Sequence, residues 1–480
     1  MFGSKSSRIL PFVFSLIVVA LSTVGVSAFA STWVNNQNAA SVLGQPSFGS
    51  STAAAGATGL YQPSAVRFDE TSGKVFVTDC ANNRVLRFAN AQAFTSGGPA
   101  EAAFGQSDLN VTVGGSSQSK IRCAGEIAVD SGGHLWLADT TNSRVLRWDN
   151  AATAASGTAA AAVLGQPDFT SNTSATTASK MAYPEGIYID PNGRLWVADS
   201  GNNRVLRFDQ PLNKANGAAA DAVLGTSDFV TNAASMSQTG MASPNSITGN
   251  ISGSIWVSDS GNNRVLRFDS AASKFNGGAA DYVLGSSAFD SIPADRTTSA
   301  TLDSPGGLAF DAQNRLYVAD TANARVLIFG NASGLGSGAP ATNVLGQPNF
   351  TTAVATLSQS GFDMPYSPSI DPTTQSLFVA DVANNRVMRF VPQTATSGNV
   401  AISGRVTDRA GAGIRNARVI FTDQLGASRQ VITNSYGYFT FADIPTGTSL
   451  TANVTAKGFT FQPRMIQVMD NLTDINFVAQ

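Results

Sequence analysis

The chain is short of charge. Only 13% of its 480 residues are Asp, Glu, Lys or Arg, about half the usual share of roughly 25%. Thirty basic side chains face 32 acidic ones. That balance supplies no basic face, so a nucleic-acid partner is not expected. Histidine is scarcer still: His134 is the single one. A Ser-His-Asp, Cys-His or three-His zinc site would have to be built around it alone. His134 lies in "DSGGHLW", which reads as a surface turn. Cysteines number two, Cys80 and Cys123.

Long apolar runs are also missing, with one exception. "MFGSKSSR" carries Lys5 and Arg8, "ILPFVFSLIVVAL" follows as 13 mostly apolar residues, and "SAFA" offers Ala28 and Ala30 as a small-residue cleavage site. This is the order of a secretory signal peptide, and the run falls short of the ~20 residues of a membrane span. Residues 1–30 are therefore expected to direct export to an extracellular, periplasmic or cell-surface location. The mature chain is expected to have no transmembrane segment. The alanine-rich, lysine-poor composition points to a bacterial source.

What is present is a repeat. An Asp recurs as Asp79, Asp139, Asp199, Asp259, Asp320 and Asp381, in steps of 60, 60, 60, 61 and 61 residues. An Asn follows three residues later each time, from Asn82 to Asn384. An Arg follows five residues later, as Arg84, Arg144, Arg204, Arg264, Arg325 and Arg386. A second signal, fullest as "VLGQPDF", recurs around Gly44, Gly105, Gly165, Gly225, Gly285 and Gly346.

Each unit reads as four short strands. In the third unit these are "GIYID", "RLWVAD", "RVLRF" and "DAVLG", parted by the turns "PNG" and "SGNN" and one longer connection. The branched and aromatic residues suit a pleated surface, and Gly193 eases the first turn. Four strands repeated radially describe a β-propeller. The mature chain is expected to start with a fourth-type strand, "SVLG" at Ser41–Gly44, before any first strand, and the last unit ends after its third, "RVMRF". The N-terminal strand is expected to complete the sixth blade and close the ring, leaving no open edge. The fold class is all-β, with a six-bladed propeller over residues 31–391.

"PEGIYIDPNGRLWVADSGNNRVLRFD" (Pro184–Asp209) resembles an NHL repeat in its Pro, its "D-x-x-G" turn, its "VAD" and its "N-x-R-V". The resemblance recurs six times over about residues 40–391. Blade 2 has Ala124 for the Pro, and blade 4 has Asn250 for the turn Asp. Peptide-amidating lyases with similar propellers use several zinc-binding histidines, which this chain lacks.

Six copies of one acid, amide and base cannot all be one catalytic centre, so the trio reads as scaffold. The Asp is expected to accept turn N–H groups or pair with the Arg, and the Asn to adopt left-handed backbone geometry. The strand aromatics Phe76, Trp136, Trp196, Trp256, Tyr317 and Phe378 read as core between blades.

Sites are expected where blades differ. The position after the consensus Pro reads Ser64, Gly125, Glu185, Asn245, Gly306, Tyr366, and the next reads Ala65, Glu126, Gly186, Ser246, Gly307, Ser367. Glu126, Glu185 and Asn245 come from consecutive blades at a channel mouth, and such oxygen ligands suit Ca2+. Six-bladed lactonases hold a divalent metal in a comparable place, an analogy of fold. The alternative is a solvated rim with no cofactor. Tyr366 and Arg67 are candidates for contact with a sugar or peptide. Cys80 and Cys123 fall in loops on one face of neighbouring blades, and a disulfide between them is expected after export.

Residues 392–399, "PQTATSGN", read as a linker. Beyond it the period stops, and residues 400–480 alternate apolar and polar positions as a β-sandwich. "GRVTD", "TNSYGYFTFADIPTG" and "AKGFTF" resemble the carboxypeptidase regulatory-like domain, which is similar to transthyretin. That resemblance implies a stalk, spacer or adhesive module and no peptidase residues. The first strand has Arg405 and no Lys, so an internal isopeptide is not carried over.

The reading is an exported, non-catalytic binding or scaffold protein with a protein or glycan ligand on the propeller loop face. Two alternatives stand beside it: a metal-dependent hydrolase or lactonase at the channel mouth, and a structural envelope or matrix protein.

Overall fold

In the computed structural model, residues 31–91, 98–394, 399–423, 427–445, 448–468, 472–473 and 475–480 are described. The expected signal peptide, residues 1–30, lies outside them, as do residues 395–398 of the expected linker. Two compact units are present, one spanning Thr32–Gln393 and one containing Thr394–Gln480. No helix among the described residues is long and apolar enough to cross a membrane.

The first unit holds six four-stranded antiparallel sheets, the six blades of a propeller. In blade 3 the strands run in sequence order as Pro184–Ile189, Leu195–Asp199, Arg204–Phe208 and Ala222–Leu224. Blade 6 consists of Pro365–Ile370, Leu377–Asp381 and Arg386–Phe390, completed by Ser41–Leu43. Ser41, Val42 and Leu43 pair with Arg389, Met388 and Val387. The expected closure by the N-terminal strand is therefore how the ring is sealed. Blade 2 departs from the pattern: its inner strand is only Ile127–Val129, and Ala124 stands where the other inner strands begin with Pro.

The core lies between blades. Trp196 of blade 3 packs with Ile247, Ile255 and Val257 of blade 4, and Trp256 of blade 4 packs with Leu308 and Val318 of blade 5. Tyr317 of blade 5 meets Leu377 and Val379 of blade 6, and its hydroxyl accepts the Trp33 indole N–H at 2.7 Å.

The repeated trio ties each blade to its own loops. In blade 3, Asp199 Oδ1 accepts the Ala182 N–H at 2.6 Å. Its Oδ2 accepts Asn202 Nδ2 at 2.8 Å and Arg204 Nε at 2.7 Å. Arg204 Nη1 donates to the Phe229 carbonyl, and Nη2 to the Thr177 and Lys180 carbonyls. All three side chains are buried. The Asp–Asn and Asp–Arg bonds recur in the other five blades. A buried charge is tolerable only when paired and hydrogen-bonded this fully.

One detail differs from the sequence expectation. The left-handed residue is not the conserved Asn but its successor: Asn83, Ser143, Asn203, Asn263, Ala324 and Asn385, with φ from 48 to 55°. The conserved Asn spends its amide on the Asp instead. The successor reaches across a seam. Asn203 Oδ1 accepts the Ser243 N–H of the next blade at 2.8 Å, and Asn83, Ser143, Asn263 and Asn385 accept from Cys123, Tyr183, Ser304 and Gln62. Ala324 has no acceptor to offer, so the seam between blades 5 and 6 lacks this clasp. Cys80 and Cys123 form a disulfide across the seam between blades 1 and 2.

The second unit is a sandwich of two sheets. One is ordered Ser428–Ile432, Arg418–Asp423, Thr448–Thr455, Arg464–Val468, and the other Tyr438–Pro445, Asn399–Thr407, Phe477–Val478. Between them Phe421 stacks on Phe441, Phe439 meets both edge-on, and Ile402, Val406 and Val419 join the same core.

Candidate functional site at the propeller channel

The inner strands of all blades start on one face, and the residues at their starts are the ones that differ. The structure brings Glu126, Glu185, Asn245, Tyr366 and Arg67 together there. Glu126 does not stand at the mouth as expected. It is fully buried beneath it, because Arg67 reaches inward along the channel to meet it. Arg67 Nη2 lies 3.3 Å from Glu126 Oε1. The same oxygen accepts the hydroxyls of Ser246 at 2.9 Å and Ser367 at 3.2 Å. Burial opposes the charge on Glu126, and Arg67 and the two hydroxyls favour it.

Glu185 lies one layer outward. Its backbone carbonyl accepts the Glu126 N–H at 2.8 Å. Its Oε2 accepts the Tyr366 hydroxyl at 3.3 Å. Burial pushes its carboxyl up to about 7; the Tyr366 hydrogen bond works against that shift and the nearby Glu126 charge adds to it. Two acceptors are left over: Glu126 Oε2 and Asn245 Oδ1 are buried with no hydrogen-bond partner.

Calcium finds two unpaired oxygens here, Glu126 Oε2 and Asn245 Oδ1. It needs six to eight oxygens, and here one Glu126 oxygen already carries a guanidinium and two hydroxyls. Among the described residues no group of three or more His, Cys, Asp and Glu is placed to hold a metal.

Around the mouth, the residue before the consensus Pro position has positive φ in every blade. These residues are Gln62, Cys123, Tyr183, Ser243, Ser304 and Met364. Tyr183 is 55% exposed and Met364 52%, with Tyr61 at 40% nearby in sequence. Sequence reasoning missed this ring. The signal was available: the position before the consensus Pro varies from blade to blade, as the two positions after it do. His134 stands apart in its hairpin turn, its Nδ1 2.8 Å from Asp130 Oδ1.

Comparison with known proteins agrees on the architecture. Residues 181–208 and 302–329 match the NHL repeat, and residues 401–480 match the carboxypeptidase regulatory-like domain. No curated protein matches the chain. Among solved structures, an auxiliary nutrient binding protein from Bacteroides ovatus is similar with a TM-score of 0.49 and 14% identity, over 75% of this chain and 77% of that one. A catalytically inactive virginiamycin B lyase from Staphylococcus aureus is similar with a TM-score of 0.40 and 12% identity, over 69% and 82%. The chain thus carries NHL repeats in a propeller of four-stranded blades and a carboxypeptidase regulatory-like domain at its C-terminus.

Proposed function

We propose that this is an exported, non-catalytic glycan-binding protein. The propeller takes its ligand at the channel mouth, and the C-terminal sandwich serves as a spacer or adhesive module. One observation carries the reading. Close to the inner-strand starts, where Tyr183 and Met364 are exposed, Glu126 Oε2 and Asn245 Oδ1 are buried and have no hydrogen-bond partner. Buried acceptors left unpaired are costly. A polyhydroxylated ligand brings hydroxyl donors for them and presents C–H faces to the Tyr183 ring, which combines an apolar body with a polar tip. A protein ligand would use the exposed side chains and leave these acceptors unsatisfied, so the glycan is favoured.

The test is a glycan array probed with the purified chain and with Tyr183→Ala. At least one glycan class is expected to bind the wild type, and the variant to lose at least ten-fold in affinity with its thermal midpoint unchanged. An array without a single bound glycan overturns the reading, as does binding indifferent to Tyr183.

A further inference from the structure

The sandwich unit sorts its charge by end. Residues 399–480 hold seven basic and five acidic side chains. Strand direction and register set six of the seven cations at one end. Arg405 and Arg409 bracket the end of Asn399–Thr407, Arg415 and Arg418 lead into Arg418–Asp423, Lys457 follows Thr448–Thr455, and Arg464 begins Arg464–Val468. These strand ends meet. Arg418 pairs with Thr455 on one side and Ile432 on the other, and the Ile414 N–H donates to the Val406 carbonyl. Asp423, Asp443 and Arg429 stand at the opposite end, where Arg429 donates to the Ala442 and Asp443 carbonyls at 2.8 Å. Among the described residues Asp408 is the acid of the basic end, and its Oδ1 is taken by the Ala410 and Ala412 N–H groups. Arg409, Arg415, Arg418, Lys457 and Arg464 are exposed, and none pairs with a carboxylate among the described residues.

Arg405 is the cation held in place. Its guanidinium carbon lies 5.1 Å from the Tyr438 ring centroid, and its Nε–H donates to the Tyr436 carbonyl at 2.9 Å. Stacking and that bond fix the guanidinium plane. They leave Nη1 and Nη2 without a partner among the described residues. Two N–H groups side by side match the two oxygens of a carboxylate. The Tyr436 side chain is 69% exposed, and Phe459, in the turn after Lys457, is exposed as well.

We propose that this end of the sandwich binds a linear polysaccharide of sugar acids. A uronate carboxylate sits on Arg405 Nη1 and Nη2, the Tyr436 ring takes the C–H face of a sugar, and the remaining cations meet carboxylates further along the polymer. Other polyanions fit less well. A nucleic-acid footprint needs a strong basic excess, and the excess of this unit is small. A bilayer takes up apolar side chains, and the loops 408–416 and 433–437 hold as large apolar side chains only Tyr436 and Ile414, which is buried. The proposal concerns the sandwich alone and does not rest on glycan binding by the propeller.

The test is titration calorimetry of the full purified chain with polygalacturonate oligomers, with the same oligomers fully methyl-esterified, with phosphatidylglycerol vesicles and with a single-stranded oligodeoxynucleotide. Polygalacturonate is expected to bind, and to weaken as salt rises from about 50 to about 300 mM. The esterified form, with the same rings and no charge, is expected to bind at least ten-fold more weakly. Arg405→Gln is expected to lose at least ten-fold, Arg405→Lys to recover little of it because the fork is gone, and Arg429→Gln, at the opposite end, to bind as the wild type does. If Arg405→Gln fails to fold, the esterified oligomers still decide. No heat with polygalacturonate at millimolar concentration overturns the proposal. So does equal binding of the esterified form, or a vesicle or oligonucleotide bound more tightly than polygalacturonate. Binding that persists unchanged in a folded Arg405→Gln belongs elsewhere on the chain and overturns it too.

Discussion

The ring of hairpin turns and the ring of inner-strand starts run round the same propeller. The first holds Asp, Asn and Arg in every blade. The second holds Ser64, Gly125, Glu185, Asn245, Gly306 and Tyr366, followed one residue on by Ala65, Glu126, Gly186, Ser246, Gly307 and Ser367, with Arg67 reaching in from further along its strand. In the first ring every donor and acceptor of the trio in blade 3 is directed at its own blade, within the hairpin or to the loops on either side. In the second ring the bonds run across the channel, from Arg67 of blade 1 to Glu126 of blade 2, and from Ser246 and Ser367 of blades 4 and 6 to the same carboxylate. Repetition builds each blade; difference makes a site between them. Damage to the first ring should appear as lost stability, and damage to the second as lost recognition.

The largest effect is expected in the repeated ring. Arg204→Ala leaves Asp199 buried without its counter-charge and should cost about 3–5 kcal/mol in chemical denaturation. Arg204→Lys keeps the charge but not the guanidinium fork, and should lose less. A loss under about 1 kcal/mol for Arg204→Ala would show that the trio is not what holds the blade. Next comes the covalent seam. The disulfide spans 43 residues of sequence, and Cys80→Ser with Cys123→Ser should cost about 2–4 kcal/mol, read by calorimetry.

Glu185 gives a smaller and pH-dependent effect. Its carboxyl titrates at about 7 in the folded chain against an ordinary 4.5. Below pH 4.5 both folded and unfolded chains carry the acid protonated, and no penalty arises. Between 4.5 and 7 the unfolded chain ionises first, so the folded state loses stability, and above 7 the loss is constant. The half-buried position limits it to about 1–2 kcal/mol. Glu185→Gln should therefore match the wild type at pH 4 and exceed it by that amount at pH 8. Equal stability at both values would contradict the burial. The smallest effect concerns the seams. Asn203→Ala should cost about 0.5–1 kcal/mol, and Ala324→Asn should add up to as much at the seam that lacks the clasp. Hydrogen exchange at Met364 in the wild type should be faster than at Ser243.

The fold was readable because a 60-residue period states each element six times. The strand Arg204–Phe208, the buried Trp196 and the closure by Ser41–Leu43 all follow from patterns within or between repeats. The site was readable only in part. The sequence shows that Glu126 stands out in its column and that Arg67 is a candidate for contact. It does not show that they meet, because contacts across the channel follow from ring closure and not from spacing along the chain. For the same reason Glu126 was expected at the mouth and is found beneath it. The left-handed residue was misplaced by one because Asn82 and Asn83 are both suited to that geometry. Which of them takes it is decided by the Asp79 carboxylate, which claims the Asn82 amide.

The most direct measurement takes the glycan selected by the array and records affinity and thermal midpoint together for wild type, Tyr183→Ala and Arg204→Lys. Recognition in the ring of differences and stability in the ring of repeats predict that the two readouts separate. Tyr183→Ala should lose at least ten-fold in affinity at an unchanged midpoint. Arg204→Lys should melt several degrees lower and bind as the wild type does below its transition. Affinity and midpoint falling together in both variants, or affinity untouched by Tyr183→Ala, would contradict the account.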